Sequence, residues 1–71
     1  MTLRNARITG AIRYKAEDGQ SHEIPLGPCL VEQLDERLID IIWGANGQRS
    51  ALLPVEDVKS ARDQGKLLLL D

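Results

Sequence analysis

The stretch Leu38-Ile-Asp-Ile-Ile-Trp-Gly-Ala-Asn-Gly-Gln-Arg-Ser-Ala-Leu-Leu-Pro54 decides how this chain must fold. It holds the single Trp, three of the six Ile, and an Asn-Gly pair set between two apolar runs. Asn and Gly both tolerate φ > 0, which a type I′ turn demands, so Asn46-Gly47 predicts a tight hairpin. The first arm is apolar on both sides, with Ile39, Ile41 and Trp43 on one and Leu38 and Ile42 on the other. Asp40 is its only charge. A two-residue loop pairs Ile41 with Leu52 and a three-residue loop pairs it with Ala51, so pattern alone leaves the register open. A hairpin this apolar is not stable alone in water and must pack against the remainder of the chain.

Toward the N-terminus, residues 7–15 alternate. Ile8, Gly10, Ile12 and Tyr14 fall on one side, and Arg7, Thr9, Ala11, Arg13 and Lys15 on the other, the period of a half-buried strand. His22, Ile24 and Leu26 repeat the alternation after Glu17-Asp18-Gly19. A two-residue Asp18-Gly19 loop would mix the charged side with the apolar one. A three-residue loop pairs Tyr14 with His22 and Ile12 with Ile24, and sets Gly19 at the left-handed position of a type I turn with a G1 bulge. The three-residue loop is therefore expected. Pro25, Gly27 and Pro28 then end the strand or hold it at an edge, because Pro brings no donor to a ladder.

Residues 29–37 read two ways. Leu30, Val31, Leu34, Leu38, Ile41 and Ile42 share a helical stripe, while the β-branched residues beyond favour strand. The segment is a short strand or a helical turn, with Asp35-Glu36 as a polar corner before a strand over residues 38–43. Beyond the hairpin, Pro54 opens a short helix near residues 55–64. Glu56 and Asp57 lie in its first turn, Arg62 in its last, and Gly65 just past its end, each matching the helix dipole or the terminal geometry. Val55, Val58 and Ala61 form its apolar stripe. Lys66 and four consecutive leucines, Leu67 to Leu70, close the chain as a strand apolar on both faces, which needs cover on both.

Seventy-one residues predict one small domain that buries about 60% of its unfolded surface, a marginal core without a staple. Cys29 is alone and closes no intrachain disulfide, and one His with one Cys is too few for a structural zinc site. Homo-oligomerisation, a dimer first, is the remaining device. The N-terminus has no apolar h-region and no run of 18 apolar residues occurs, so a reducing, cytoplasmic setting and no membrane partner are expected. A net charge of −2 argues against a dedicated nucleic-acid binder. The charges are nevertheless uneven: Arg4, Arg7, Arg13 and Lys15 precede any acid, and residues 17–40 carry seven acids against Arg37. After Asp40, four bases balance Glu56, Asp57, Asp63 and Asp71.

The leucine-rich run into Leu53-Pro54-Val55-Glu56-Asp57-Val58-Lys59-Ser60, followed by a short terminal strand, resembles the PRC-barrel domains. These are small SH3-like β-barrels with a similar Pro-x-x-Asp-Val-x-Ser stretch before the last strand. The similarity spans residues 38–70 and implies a partner-binding module. It brings no catalytic residue with it.

Chemistry is sparse. His22 is the one side chain titrating near neutrality, and Cys29 is the one thiol, but no spacing joins them into a nucleophile and base. The glycines form no phosphate-binding pattern, and one Trp with one Tyr builds no platform for single-stranded nucleic acid. Neither a catalytic residue, a cofactor nor a metal is expected. Asp40, inside Leu-Ile-Asp-Ile-Ile-Trp, either marks the solvent face of its strand or needs a partner, Arg37 or Arg49. The expectation is an α+β, mainly β domain, a bent antiparallel sheet or SH3-like barrel of about five strands with one short helix. It would act as a non-catalytic interaction module binding itself or another protein. The candidate interaction surface is Trp43, Asp40, Ile41, Leu67 and Leu69. A basic patch of Arg4, Arg7, Arg13 and Lys15, facing nucleic acid, is the alternative.

Overall fold

Apolar alternation becomes pairing within residues 2–70, which a computed structural model of the chain describes; Asp71, one of the balancing acids, lies outside them, as does Met1. The strands are β1 (Thr2–Ile8), β2 (Arg13–Lys15), β3 (Ser21–Glu23), β4 (Gly27–Gln33), β5 (Leu38–Trp43) and β6 (Arg49–Pro54). The helix α1 (Val55–Asp63) follows, and then β7 (Leu67–Leu69). Five strands form one antiparallel sheet in the order β6-β5-β4-β1-β7, and β2 and β3 form a separate two-stranded sheet.

The β5–β6 hairpin takes the register that pairs Ile41 with Ala51 and Ile39 with Leu53, bringing buried residues together. Its turn differs from the expected type I′. No residue other than Gly has a positive φ among those described, so Asn46 stays right-handed. The turn instead closes from Gly44 to Gly47, whose N–H donates to the Gly44 carbonyl, with Gly47 at φ +67°. The first hairpin uses the same device. Ala16 and Gln20 flank a three-residue loop, Gly19 at φ +82° donates to Ala16, and Tyr14 pairs with His22 as the apolar matching required.

The strand expected over residues 7–15 is divided. Thr9 and Gly10 both donate to the Lys66 carbonyl, at 2.8 and 3.2 Å, which bends the chain between β1 and β2. A Cβ on Gly10 would lie 2.8 Å from Lys66 Cγ and 3.2 Å from its Cα, so only Gly permits this approach. Alternation survives the bend, since Ile8 and Ile12 are both buried.

Residues 29–33 belong to a strand. β4 has partners on both sides, β1 and β5, and these ladders outweigh the helical periodicity. Pro28 lies where β5 no longer pairs with β4. Asp35 makes the corner: its Oδ1 accepts from the N–H groups of Arg37 and Leu38 at 2.7 and 2.9 Å. The helix also ends as its residues dictate. Gly65 at φ +76° donates to Arg62 and Lys66 donates to Ala61, the paired bonds of a Schellman motif.

The sheet does not close into a barrel, so of the two expected architectures the bent antiparallel sheet is the one formed. The segment between β6 and β7 is spent as helix, which carries the chain from one edge of the sheet to the other. The helix and the β2–β3 hairpin cover one face. Ala6 and Ile8 of β1, Cys29 and Val31 of β4, and Ile39, Ile41 and Trp43 of β5 meet Val58 and Ala61 of the helix and Ile12 and Ile24 beside the hairpin. Ile41 is wholly enclosed. Truncation at so enclosed a site removes transfer energy and leaves a cavity, so Ile41→Ala is expected to cost about 2–5 kcal/mol. Urea unfolding checks this; an unchanged midpoint would show that this residue is not at the centre of the core.

Candidate interaction surface

The pleat that sends Ile39, Ile41 and Trp43 inward sends Leu38, Asp40 and Ile42 to the opposite face. Pairing carries this parity across the whole sheet, and rungs of side chains cross its open face. Leu3, Glu32, Asp40 and Leu52 form one, each directly opposite the next. Asn5, Leu30, Ile42 and Ser50 form the next, with Leu70 bonded beside Asn5 through its backbone N–H. Leu68, Arg7 and Pro28 form a third, and Leu38 with Pro54 a fourth, to which Leu34 is joined by its N–H to the Leu38 carbonyl.

The described residues include seven large hydrophobic side chains that are exposed: Leu3, Leu26, Leu34, Leu38, Leu52, Leu68 and Leu70. Strand parity assigns all but Leu26 to this one face. Leu3, Leu52 and Leu70 are each more than half exposed, at 53%, 56% and 59%. Together the six leave on the order of 500 Å² of leucine surface in water, comparable to the largest apolar patch of an ordinary monomer. Scattered exposed leucines would mean nothing; their segregation to one face is the signal.

Two carboxylates sit in the middle of this surface. Asp40 and Glu32 are directly paired across β5 and β4, an arrangement in which like charges repel. Asp40 Oδ1 is shut off from solvent and has no hydrogen-bond partner. Burial, and then the charge of Glu32, raise the Asp40 carboxyl above its ordinary value of 3.8. Neither Arg37 nor Arg49 forms an ion pair with it among the described residues. The cation that pleat and pairing put on this face is Arg7, two rungs away on β1.

Of the residues expected to form an interaction surface, Asp40 lies on the open face. Ile41, Trp43 and Leu67 are enclosed in the core, and Leu69 packs partly against it. The four residues of the expected basic patch are not brought together. Arg4 and Arg7 project from opposite faces of β1, Arg13 pairs with Glu23 at 3.6 Å, and Lys15 lies beside the Asp18 turn. Leu52 and Leu68 lie within the two segments, 38–53 and 67–70, that the sequence offers for self-association, whereas Leu3 and Glu32 of the open face were not singled out; the signal for them was the same alternation read from its other side.

The remaining reactive groups stand apart. Cys29 is buried and its thiol is pushed up by burial, away from the thiolate form. His22 meets Asp18 Oδ2 at 3.3 Å across the first turn and lies tilted, 6.0 Å from Tyr14, which meets Trp43 edge-on at 5.5 Å. The Asp18 carboxyl is held below its ordinary value by the Gln20 N–H and then by His22. No three potential metal ligands cluster among the described residues. No helix among them is long and apolar enough to cross a membrane. No protein-family model, curated protein or solved structure matches the chain.

The Asp40 geometry has a definite consequence for stability. A carboxyl raised in the folded state binds its proton more readily there than in the unfolded chain. Stability contributed by that proton is full below 3.8 and is lost as pH rises through the raised folded value. Asp40→Asn keeps the shape and removes the charge. It is expected to raise the unfolding midpoint at pH 7 and to flatten the pH dependence above 3.8. Thermal unfolding across that range checks it; equal pH profiles for the two proteins would contradict the burial of this carboxylate.

Proposed function

We propose that the protein is a non-catalytic interaction module that self-associates as a homodimer through the open face of its five-stranded sheet. The observation that carries this reading is the collection of six exposed leucines on that face around a carboxylate without a partner. A second copy supplies what the face needs in both respects.

The area is adequate. Five strands about 4.8 Å apart and some six residues long present a face of roughly 24 by 20 Å. With side-chain relief this approaches the ~800 Å² per partner of a standard interface. The charge pattern is self-complementary. The acidic pair lies one rung to one side of Leu30 and Arg7 one rung to the other, on the neighbouring strand. A two-fold axis lying in the face and crossing it obliquely at Leu30 sets Arg7 of each copy against Glu32 and Asp40 of the other. Such an isologous contact closes at two copies. Burying leucine supplies the affinity, and the paired charges set the register.

Sedimentation equilibrium over a concentration series tests the proposal. A monomer–dimer equilibrium is expected, with Leu52→Asp weakening it by about tenfold or more, since it puts a charge on a leucine that the contact buries. Arg7→Glu should weaken it as well, and more so at low salt, where the acid pair repels it most. A monomeric mass at every concentration would overturn the proposal, as would a dimer indifferent to both substitutions.

A further inference from the structure

Strand parity sets the charge of the open face as well as its leucines. Among the described residues it assigns three charged side chains there: Arg7 on β1, Glu32 on β4 and Asp40 on β5. The face therefore carries two acids to one base. The acids stand directly opposite one another, between Leu3 and Leu52 in a single rung. Arg7 is two rungs away and forms no ion pair among the described residues.

Bringing two such faces together leaves an imbalance. Arg7 of each copy answers one negative charge of the other copy's acid pair, and the second negative charge has no cation to meet. An ionised carboxylate enclosed among leucines without a cation is costly, and a neutral carboxyl is the cheaper state. The site is already shaped for this. Asp40 Oδ1 is shut off from solvent with no hydrogen-bond partner, and a proton on either carboxyl ends the repulsion between Glu32 and Asp40.

We infer that self-association through this face is linked to proton uptake, each Glu32–Asp40 pair holding one proton in the dimer. The inference rests on the homodimer reading and adds its regulation: mild acid favours the dimer, and rising pH weakens it. The sign follows from linkage. A pair that binds its proton more tightly in the dimer takes up protons on association, so affinity falls as pH rises through the value the pair has in the dimer. Two copies take up at most two protons, a limiting slope of about 100-fold per pH unit. The elements beside Asp40 present no further ionisable group to it. β6 sets Leu52 against it, and Asp35, Glu36 and Arg37 lie in the corner beyond Leu38. The helix and the β2–β3 hairpin, which carries His22, lie on the other face.

Sedimentation equilibrium of the full chain from about pH 5 to about pH 8, at constant ionic strength, tests this. The dimer dissociation constant should rise by at least about tenfold across that interval. Asp40→Asn and Glu32→Gln each leave a single acid to face Arg7. Both should dimerise with nearly constant affinity over the interval, and more tightly than the unaltered chain at its alkaline end. His22→Gln removes the other group that titrates in this range and should keep the parental slope. Affinity that is constant or rises with pH would overturn the inference while the dimer stands. So would a parental slope in both acid variants, or its loss in His22→Gln. A monomer at every pH and concentration would overturn the dimer itself, and the proton linkage with it.

Discussion

A sheet has two faces, and this chain carries enough covering structure for one. The nine-residue helix and the β2–β3 hairpin both lie on the side of Ile41 and Trp43. The opposite side keeps Leu3, Leu52, Leu68 and Leu70 in water, with Asp40 half-buried among them. A short chain buries a smaller share of its surface than a long one, and the described elements cover one face only. The uncovered apolar surface follows from this topology, which puts the helix and the hairpin on the same side. Its concentration on one face makes it usable as a contact instead of a scattered liability.

That constraint also explains where polar residues appear against the pattern. On the open face, Asp40 and Glu32 oppose one another across the central strands, an arrangement that weakens the isolated sheet. A carboxylate there opposes indiscriminate sticking between apolar faces. On the covered face, Arg4, Lys59 and Arg62 stay exposed at the rim, while Val58 and Ala61 of the helix pack with Ala6, Ile8 and Val31.

Much of the fold was legible because two periods carry it. Alternation separated Ile39, Ile41 and Trp43 from Leu38 and Ile42, and apolar matching selected the three-residue loop at Glu17-Asp18-Gly19. Pro54, Gly65 and the charges between them bounded the helix. Turn chemistry was less decisive at Asn46-Gly47, where a Gly at each end of the turn let Asn46 remain right-handed. Residues 29–37 were ambiguous because a buried central strand and a helical stripe can share the same apolar residues; only the ladders to β1 and β5 separate them. The site was harder for a sharper reason. Parity divides a strand into two sets of side chains but does not say which set the helix will cover. Ile41, Trp43 and Leu67, expected at a surface, are buried, while their neighbours Leu52 and Leu68 are exposed. Likewise the opposition of Glu32 and Asp40 could not be seen until β4 was known to be a strand beside β5.

The central claim is that the open face is covered by a second copy of the chain. Methyl relaxation by a soluble paramagnetic agent, measured as protein concentration rises, tests it residue by residue. Leu3, Leu52 and Leu68 should relax strongly in dilute protein and become protected together as concentration increases, while the enclosed Leu67 stays protected throughout. Leucine methyls on that face that remain accessible at every concentration would contradict the account.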